Sequence, residues 1–208
     1  VVIGEIAAEI AHELRNALQI VSANVYLARQ DPAASEAYLA KIDRSTRIAQ
    51  AIVDDLMALA RGEAPLAEPL SVAELLPLAR EALPEGAADF EDAVEPPGLL
   101  VRVHAGLAAR MLHALYDNAI RAAAPRRARI TTRAEATGPT VALVVADDGP
   151  GVPPGIAGAL FDPLVTHRPG GSGLGLALAR RIAEAHGGSI AHLPTASGAT
   201  FRIELPGA

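Results

Sequence analysis

No cysteine and no tryptophan occur among the 208 residues, and lysine occurs once, as Lys41. The missing thiols exclude a disulfide framework, thiol catalysis and a thiolate zinc site, and they are compatible with a reducing compartment. Positive charge is the scarcer sign, because 18 basic against 24 acidic residues leave a formal net charge of −6. Nonspecific nucleic-acid binding needs clustered positive charge, so no nucleic-acid partner is expected. No apolar run reaches the roughly 18 residues of a membrane-spanning helix, and no signal-peptide pattern opens the chain. The expectation is a soluble, cytoplasmic piece with no membrane contact of its own. It starts at Val1, inside a helical pattern, which points to a part of a longer protein whose membrane attachment, if any, lies further upstream. What the chain does have is apolar content: 50% of its residues are hydrophobic, enough for a core in one large or two small domains.

From Ile3 to about Arg29 the residues Ile6, Ile10, Leu14, Ala17, Leu18, Val21 and Val25 recur every three or four positions, as on one stripe of a long helix. Asp31-Pro32 breaks it. A second stripe runs Tyr38, Ile42, Ser45, Ala49, Ile52, Leu56, Leu59, the four-three alternation of a bundle seam. An antiparallel hairpin follows. Leu39, Val53 and Met57 are left over on its flanks, so two copies are expected to pair through residues 1–61 as a homodimeric four-helix bundle. Residues 62–69, with one glycine and two prolines, read as a stiff linker. Residues 70–208 mix periods. Helices are expected over Ser71 to Leu83, Leu107 to Ala123 and Leu174 to His186, the last closed by Gly187-Gly188. Strands are expected over Leu99 to His104, Ala128 to Arg133, Val141 to Ala146, Ile190 to Leu193 and Thr200 to Leu205. The fold class is therefore α plus α/β, a helical hairpin followed by an α/β sandwich.

Four stretches could carry chemistry. His12 and Asn16 lie one turn apart on the outer face of the first helix, and Glu13 beside His12 could take the proton from one ring nitrogen while the other attacks. A solvent-facing His next to a Glu is equally an ordinary helix surface. Asp147-Asp148-Gly149-Pro150-Gly151 leaves a strand where absent side chains let backbone approach a ligand, and Asp147 could accept a hydrogen bond from an adenine amine that guanine lacks. It could also be a plain β-turn. Gly170-Gly171-Ser172-Gly173-Leu174-Gly175 opens a helix, so free amides meet the positive dipole end, a place suited to phosphate or to a mere hinge. Neither a P-loop nor a dinucleotide fingerprint fits it. Asn118 and Arg121 share one side of a helix, where an amide oxygen can ligate Mg²⁺ and a guanidinium can grip phosphate, unless they are simply a polar face. With no lysine after Lys41, Arg121 and Arg168 are the candidate phosphate cations. His113, His167, His186 and His192 show no metal-ligand spacing and read as structural.

Taken in order, these stretches resemble a sensor histidine kinase of two-component signalling. His12 to Asn16 is similar to the H box, Asp117-Asn118 with Arg121 to the N box, and Asp147 to Gly151 to the first glycine box. Phe161-Asp162-Pro163 is similar to the F box, Gly171 to Leu176 to the second glycine box, and Glu184 to Gly188 to the closing helix. The resemblance covers nearly the whole chain and implies a Bergerat-type ATP-binding fold after a dimerising phosphoacceptor hairpin. It implies ATP held by Asn118, Arg121, Asp147, Gly149, Gly151, Arg168, Gly171, Ser172, Gly173, Leu174, Gly175 and Thr200, and Mg²⁺ on Asn118. His12 would take the γ-phosphoryl group, with Glu13 accepting its proton, and pass it to an aspartate of a response-regulator receiver domain. Asn16 would orient water for dephosphorylating that regulator.

Some positions depart from the pattern. Ala17 stands where proline is common, Ala114 replaces the first N-box asparagine, His104 stands in place of an aspartate and Leu164 replaces the second F-box aromatic. The lid from Val165 to Gly170 is short, which implies modest nucleotide affinity and easy exchange. Two other functions are compatible with these departures: a nucleotide-binding dimer scaffold without kinase activity, and an ATPase clamp of the same superfamily. The clamp needs a catalytic glutamate in the N-box helix, where only Asp117 or Ala114 stands, and it leaves His12 without a task.

Overall fold

The computed structural model describes residues 18–31, 35–39, 41–43, 45, 46, 49, 66–162, 165, 166, 173 and 175–208. These fall into a helical body and an α/β body, each taken by itself.

In the helical body, residues 18–30 form α1, and Asp31, outside the helix, donates its N–H to the Leu27 carbonyl at 2.9 Å. The described residues of α2 lie at 35–39, 41–43, 45, 46 and 49. Its inward line is Tyr38, Ile42, Ser45 and Ala49, as the spacing predicts, with Ser45 buried. On α1 the inward line differs from expectation. Val21, Asn24 and Ala28 are the covered residues, while Leu18 is 60% and Val25 36% exposed. Buried Asn24 meets its hydrogen-bonding need within its own helix, donating from Nδ2 to the Ile20 carbonyl at 2.7 Å. Ile20, Tyr26, Leu27 and Leu39 are also exposed, so this body offers apolar surface that a single copy does not bury.

The α/β body begins with β1 (Glu68–Ser71), whose first two residues lie in the stretch expected to be linker. It pairs antiparallel with β3 (Leu100–Val103), Glu68 opposite Val103. A second sheet has the order β2-β4-β5-β7-β6, formed by Ala88–Glu95, Ala128–Thr137, Thr140–Asp147, Thr200–Pro206 and Ser189–Leu193. All its pairs are antiparallel except β2 with β4. Alternation sends Ile130, Thr132, Leu143, Val145, Phe201 and Ile203 to the buried face, and Arg129, Arg133, Arg202 and Glu204 to the other. Helices α3 (Val72–Arg80), α4 (Ala105–Ala123) and α5 (Gly175–Ala185) cover the buried face, with α4 in the middle against both others. The buried residues of α3, Val72, Leu75, Leu76 and Ala79, keep the helical spacing.

Two connections brace the helices. The ring nitrogen Nε2 of buried His186 accepts from the His104 backbone N–H at 2.9 Å, so Nδ1 carries the proton and donates to the Ile182 carbonyl at 2.7 Å. His104 in turn caps α4, its Nδ1 accepting from Leu107 N–H at 3.3 Å, the task an aspartate would do. At the C-terminus of α5, Gly187 at φ +74° and a bond from Gly188 N–H to the Ala183 carbonyl stop the helix.

The sequence reading misses β2. Four of its eight residues, Asp89, Glu91, Asp92 and Glu95, are acidic and poor strand formers. The strand forms because Asp92, on the inward side, meets the Arg80 guanidinium in a two-pronged contact of 2.6 and 2.8 Å. That guanidinium lies 4.1 Å from the Phe90 ring centroid and 5.4 Å from that of Tyr116, whose hydroxyl sits 3.0 Å from Thr132 Oγ1. Burial pushes the Tyr116 phenol up, against the opposing pull of Thr132 and Arg80. Among the described residues no helix is long and apolar enough to cross a membrane.

Candidate functional site

The site grows from the last residue of β5. Asp147 pairs with Ile130, which puts its side chain on the helix-covered face. Its Oδ1 accepts from Gly149 N–H at 2.7 Å and from Ala199 N–H at 3.2 Å, while its own N–H donates to the Ala199 carbonyl at 2.9 Å. One carboxylate oxygen is thus committed to backbone, and Oδ2 takes no hydrogen bond from any described residue. A carboxylate fixed by one oxygen presents the other as an acceptor for a planar donor such as an amidine-like N–H₂.

The glycines keep this place open. A Cβ on Gly149 would stand 2.7 Å from Asp147 Oδ1 and 3.2 Å from Ala122 Cβ. Gly151 and Gly198 adopt φ of +81° and +69°, and a Cβ on Gly198 would fall 1.8 Å from the Asp147 carbonyl oxygen. Gly198→Ala combines left-handed strain of about 1–2 kcal/mol with that backbone collision. It is expected to lower the melting temperature by several degrees and to weaken nucleotide binding, both read by thermal unfolding with and without ADP.

Helix α4 supplies the facing wall. Ala114, Asn118 and Ala122 are four apart and share a stripe. Ala122 lies beside Gly149, and Ala114 lies 3.7 Å from where a Cβ of Gly175 would be, so Asn118 stands between the two glycine stretches. Arg121, three residues after Asn118 on the same side of the helix, has a side chain 58% exposed, with Nε 2.7 Å from Asp117 Oδ2. A guanidinium has more donors than one carboxylate takes, so the pairing leaves capacity for an anion. Phe161 meets Phe201 edge to face at 6.2 Å.

The structure therefore sets Gly149 beside Asp147 and Ala122, Gly175 beside Ala114, and Gly151 against Gly198, with Asn118 on α4 between Ala114 and Ala122. Gly173 is described at φ +66°. Thr200 requires a correction. It pairs with Ala146, one residue before Asp147, so strand alternation sends its side chain to the opposite face of the sheet from Asp147. The neighbour that reaches Asp147 is Ala199, through its backbone N–H. His12, Glu13, Asn16, Arg168, Gly171, Ser172 and Leu174 lie outside the described residues.

Sequence reasoning missed Gly198 and Ala199, although an isolated glycine just before a strand is a signal of close backbone approach. It also missed the surroundings of Asp148. The Oδ1 of Asp148 accepts from Arg129 N–H at 2.9 Å and its Oδ2 from Arg126 at 2.7 Å, while Arg126 also donates to the Asp148 carbonyl. The Arg129 N–H and the Arg126 guanidinium hold the Asp148 carboxyl below its usual range.

Residues 104–208 match the model of the histidine kinase-, DNA gyrase B-, and HSP90-like ATPases, which defines the class of the α/β body. Residues 3–65 match the His Kinase A (phospho-acceptor) domain. With both matches in this order, the chain belongs to the sensor histidine kinases of two-component signalling. The C4-dicarboxylate transport sensor protein DctB of Rhizobium meliloti (strain 1021) is 30% identical over 214 residues, covering 98% of this chain and 34% of that protein. The chain spans about a third of the length of the first curated relatives it matches. Among solved structures, the mycobacterial sensor histidine kinase MprB is 29% identical with a TM-score of 0.59, over 68% of this chain and 97% of that one. Histidine kinase ThkA, in complex with response regulator protein TrrA, shares the fold at 24% identity and a TM-score of 0.81, over 100% of this chain and 62% of that one.

Proposed function

We propose that this chain is the catalytic part of an ATP-dependent histidine autokinase that phosphorylates His12 and hands the phosphoryl group to a response-regulator aspartate. The observation that carries the reading is Asp147, anchored through Oδ1 by two backbone amides, its Oδ2 taking no hydrogen bond from a described residue, beside Gly149, where no side chain fits. That arrangement suits the amino edge of adenine.

In this reading the residues do positioning work, as phosphoryl transfer requires. Asp147 holds the base, Gly149 and Gly151 let backbone lie against it, and Asn118 stands where an amide oxygen would hold Mg²⁺, which supplies neutralisation of phosphate charge when bound. Arg121, Arg168 and the amides of Gly171, Ser172, Gly173, Leu174 and Gly175 receive phosphate oxygens. The imidazole of His12 attacks the γ-phosphorus, the bond to the bridging oxygen breaks with its electrons leaving on ADP, and the imidazole proton goes to Glu13.

Two copies pair through residues 1–61. Exposed Leu18, Ile20, Tyr26, Leu27 and Leu39 support that pairing, since a single copy leaves them in water. The linker is residues 62–69, the last two of which also pair as the start of β1. The partner is a receiver domain, a reading supported by the response regulator held by ThkA.

The test is incubation with γ-labelled ATP and Mg²⁺, followed by acid and alkali treatment. Label that is lost in acid and kept in alkali supports the autokinase, because a phosphoramidate has that stability. ATP binding without any label would favour the scaffold reading, to which Ala114 in the N-box helix lends weight. Asn16→Ala is expected to spare labelling but slow dephosphorylation of the regulator by about 100-fold, the scale of one positioned proton-transfer group. A regulator decay assay with unchanged rates would remove Asn16 from that step.

A further inference from the structure

The peptide unit joining Asp148 to Gly149 is gripped at both ends. Its N–H end donates to Asp147 Oδ1 at 2.7 Å, and its carbonyl end accepts from the Arg126 guanidinium. A peptide group is a rigid plane, so fixing the carbonyl fixes the direction of the N–H. Arg126 is itself held in place, since the same guanidinium donates to Asp148 Oδ2 at 2.7 Å and to the Arg127 carbonyl at 3.1 Å. The clasp closes on a third side, where Asp148 Oδ1 accepts from Arg129 N–H at 2.9 Å and Asp148 N–H donates to the Arg129 carbonyl at 3.3 Å. Asp148 thereby uses both carboxylate oxygens, its N–H and its carbonyl on the corner between α4 and β4.

We infer that Arg126 is a positioning residue for the nucleotide base: by holding the Asp148–Gly149 peptide plane it aims the Gly149 N–H at Asp147 Oδ1 and so keeps Oδ2 turned toward the base. The inference rests on the adenine reading of Asp147. Arg126 and Asp148 side chains are 50% and 42% exposed, so their ion pair adds little to stability. Their contribution is orientation. If Arg126 is removed, the peptide plane is free to rotate, Gly149 N–H leaves Oδ1, and the carboxylate can turn. The phosphate half of the site, built on α4 and on the start of α5, does not depend on this plane. Loss of Arg126 should therefore be felt by the base and not by the phosphates.

The experiment compares ADP with inosine diphosphate, which carries a carbonyl where adenine carries its amine. Calorimetric affinities are measured for the unmodified chain, Arg126→Ala, Arg126→Lys and Asp148→Asn, alongside thermal unfolding. The unmodified chain should prefer ADP. Arg126→Ala should lose about fivefold in ADP affinity, within the range for residues acting through a neighbour, with inosine diphosphate unchanged and the melting temperature nearly so. Arg126→Lys, which can reach one acceptor, should recover part of the preference. Asp148→Asn keeps an oxygen for Arg129 N–H and releases the charge pair, so it gives a second, gentler loss if Arg126→Ala does not fold. A full preference for ADP in Arg126→Ala, or in Asp148→Asn if that is the variant that folds, overturns the clasp alone. Equal affinities for the two nucleotides in the unmodified chain overturn the adenine reading, and the clasp with it. A loss that is equal for both nucleotides in Arg126→Ala makes Arg126 merely structural and also overturns the inference.

Discussion

His12→Gln is expected to abolish acid-labile labelling completely while leaving ATP affinity within twofold of the unmodified chain. Glutamine is close to histidine in length and polarity, so a helix surface tolerates it, but its amide nitrogen has no free electron pair with which to attack phosphorus. ATP binding is proposed for residues between Asn118 and Gly175, while His12 falls in the segment matched by the phospho-acceptor model at residues 3–65. Binding and nucleophile are thus separable by one substitution. Calorimetry with ATP and a labelling gel on the same preparation check it. Histidine-type label surviving in the variant would move the phosphoacceptor elsewhere, and joint loss of binding would show that the two segments are not independent.

The second large effect is expected from Asp147→Asn, with ADP affinity falling by about 10- to 100-fold, equivalent to the 1.5–3 kcal/mol of a charge-assisted hydrogen bond. The direction follows from what each oxygen does. Asparagine can keep its single oxygen toward Gly149 N–H and Ala199 N–H, which preserves the turn, and it must then present its N–H₂ where Oδ2 was. Two donors would face each other across the base contact. Folding is expected to be nearly unaffected, with the melting temperature moving by a few degrees at most for a shift near 1 kcal/mol. Equal ADP affinity in calorimetry would refute the base contact. A collapse in melting temperature would mean that Asp147 serves the fold first.

Much of this fold is legible from periodicity because its helices and central strands bury one face. Val72, Leu75, Leu76 and Ala79 keep helical spacing, and Val141, Leu143 and Val145 with Phe201, Ile203 and Leu205 alternate as strands do. The strand at Ala88–Glu95 was not legible, since its stability comes from a tertiary partner: Asp92 is tolerated facing inward only because Arg80, twelve residues earlier, meets it. The strand at Glu68–Ser71 was hidden by Pro69, which a short edge pairing tolerates. In the site, the motif glycines and Asp147 are legible because each needs a particular residue type. Backbone donors leave no such mark. Ala199 reaches Asp147 through an N–H that any residue but proline could supply, whereas Thr200 displays a side chain that the strand register turns to the other face.

The acidic strand β2 has an effect on assembly. Among the described residues it lies at one end of the sheet order, with one neighbour, so a row of its backbone groups is unmatched by a further described strand. An identical strand docking there in parallel register from another molecule would set Glu91 and Glu95 against the same carboxylates, while Asp89 is already paired with Arg127 at 2.7 Å. Like charges repel across such a seam, and repulsion of this kind discourages edge-to-edge pairing of sheets. The strand that was hardest to recognise from its composition is thus acidic where acidity keeps neighbouring molecules apart, away from the exposed apolar helix residues through which pairing is proposed.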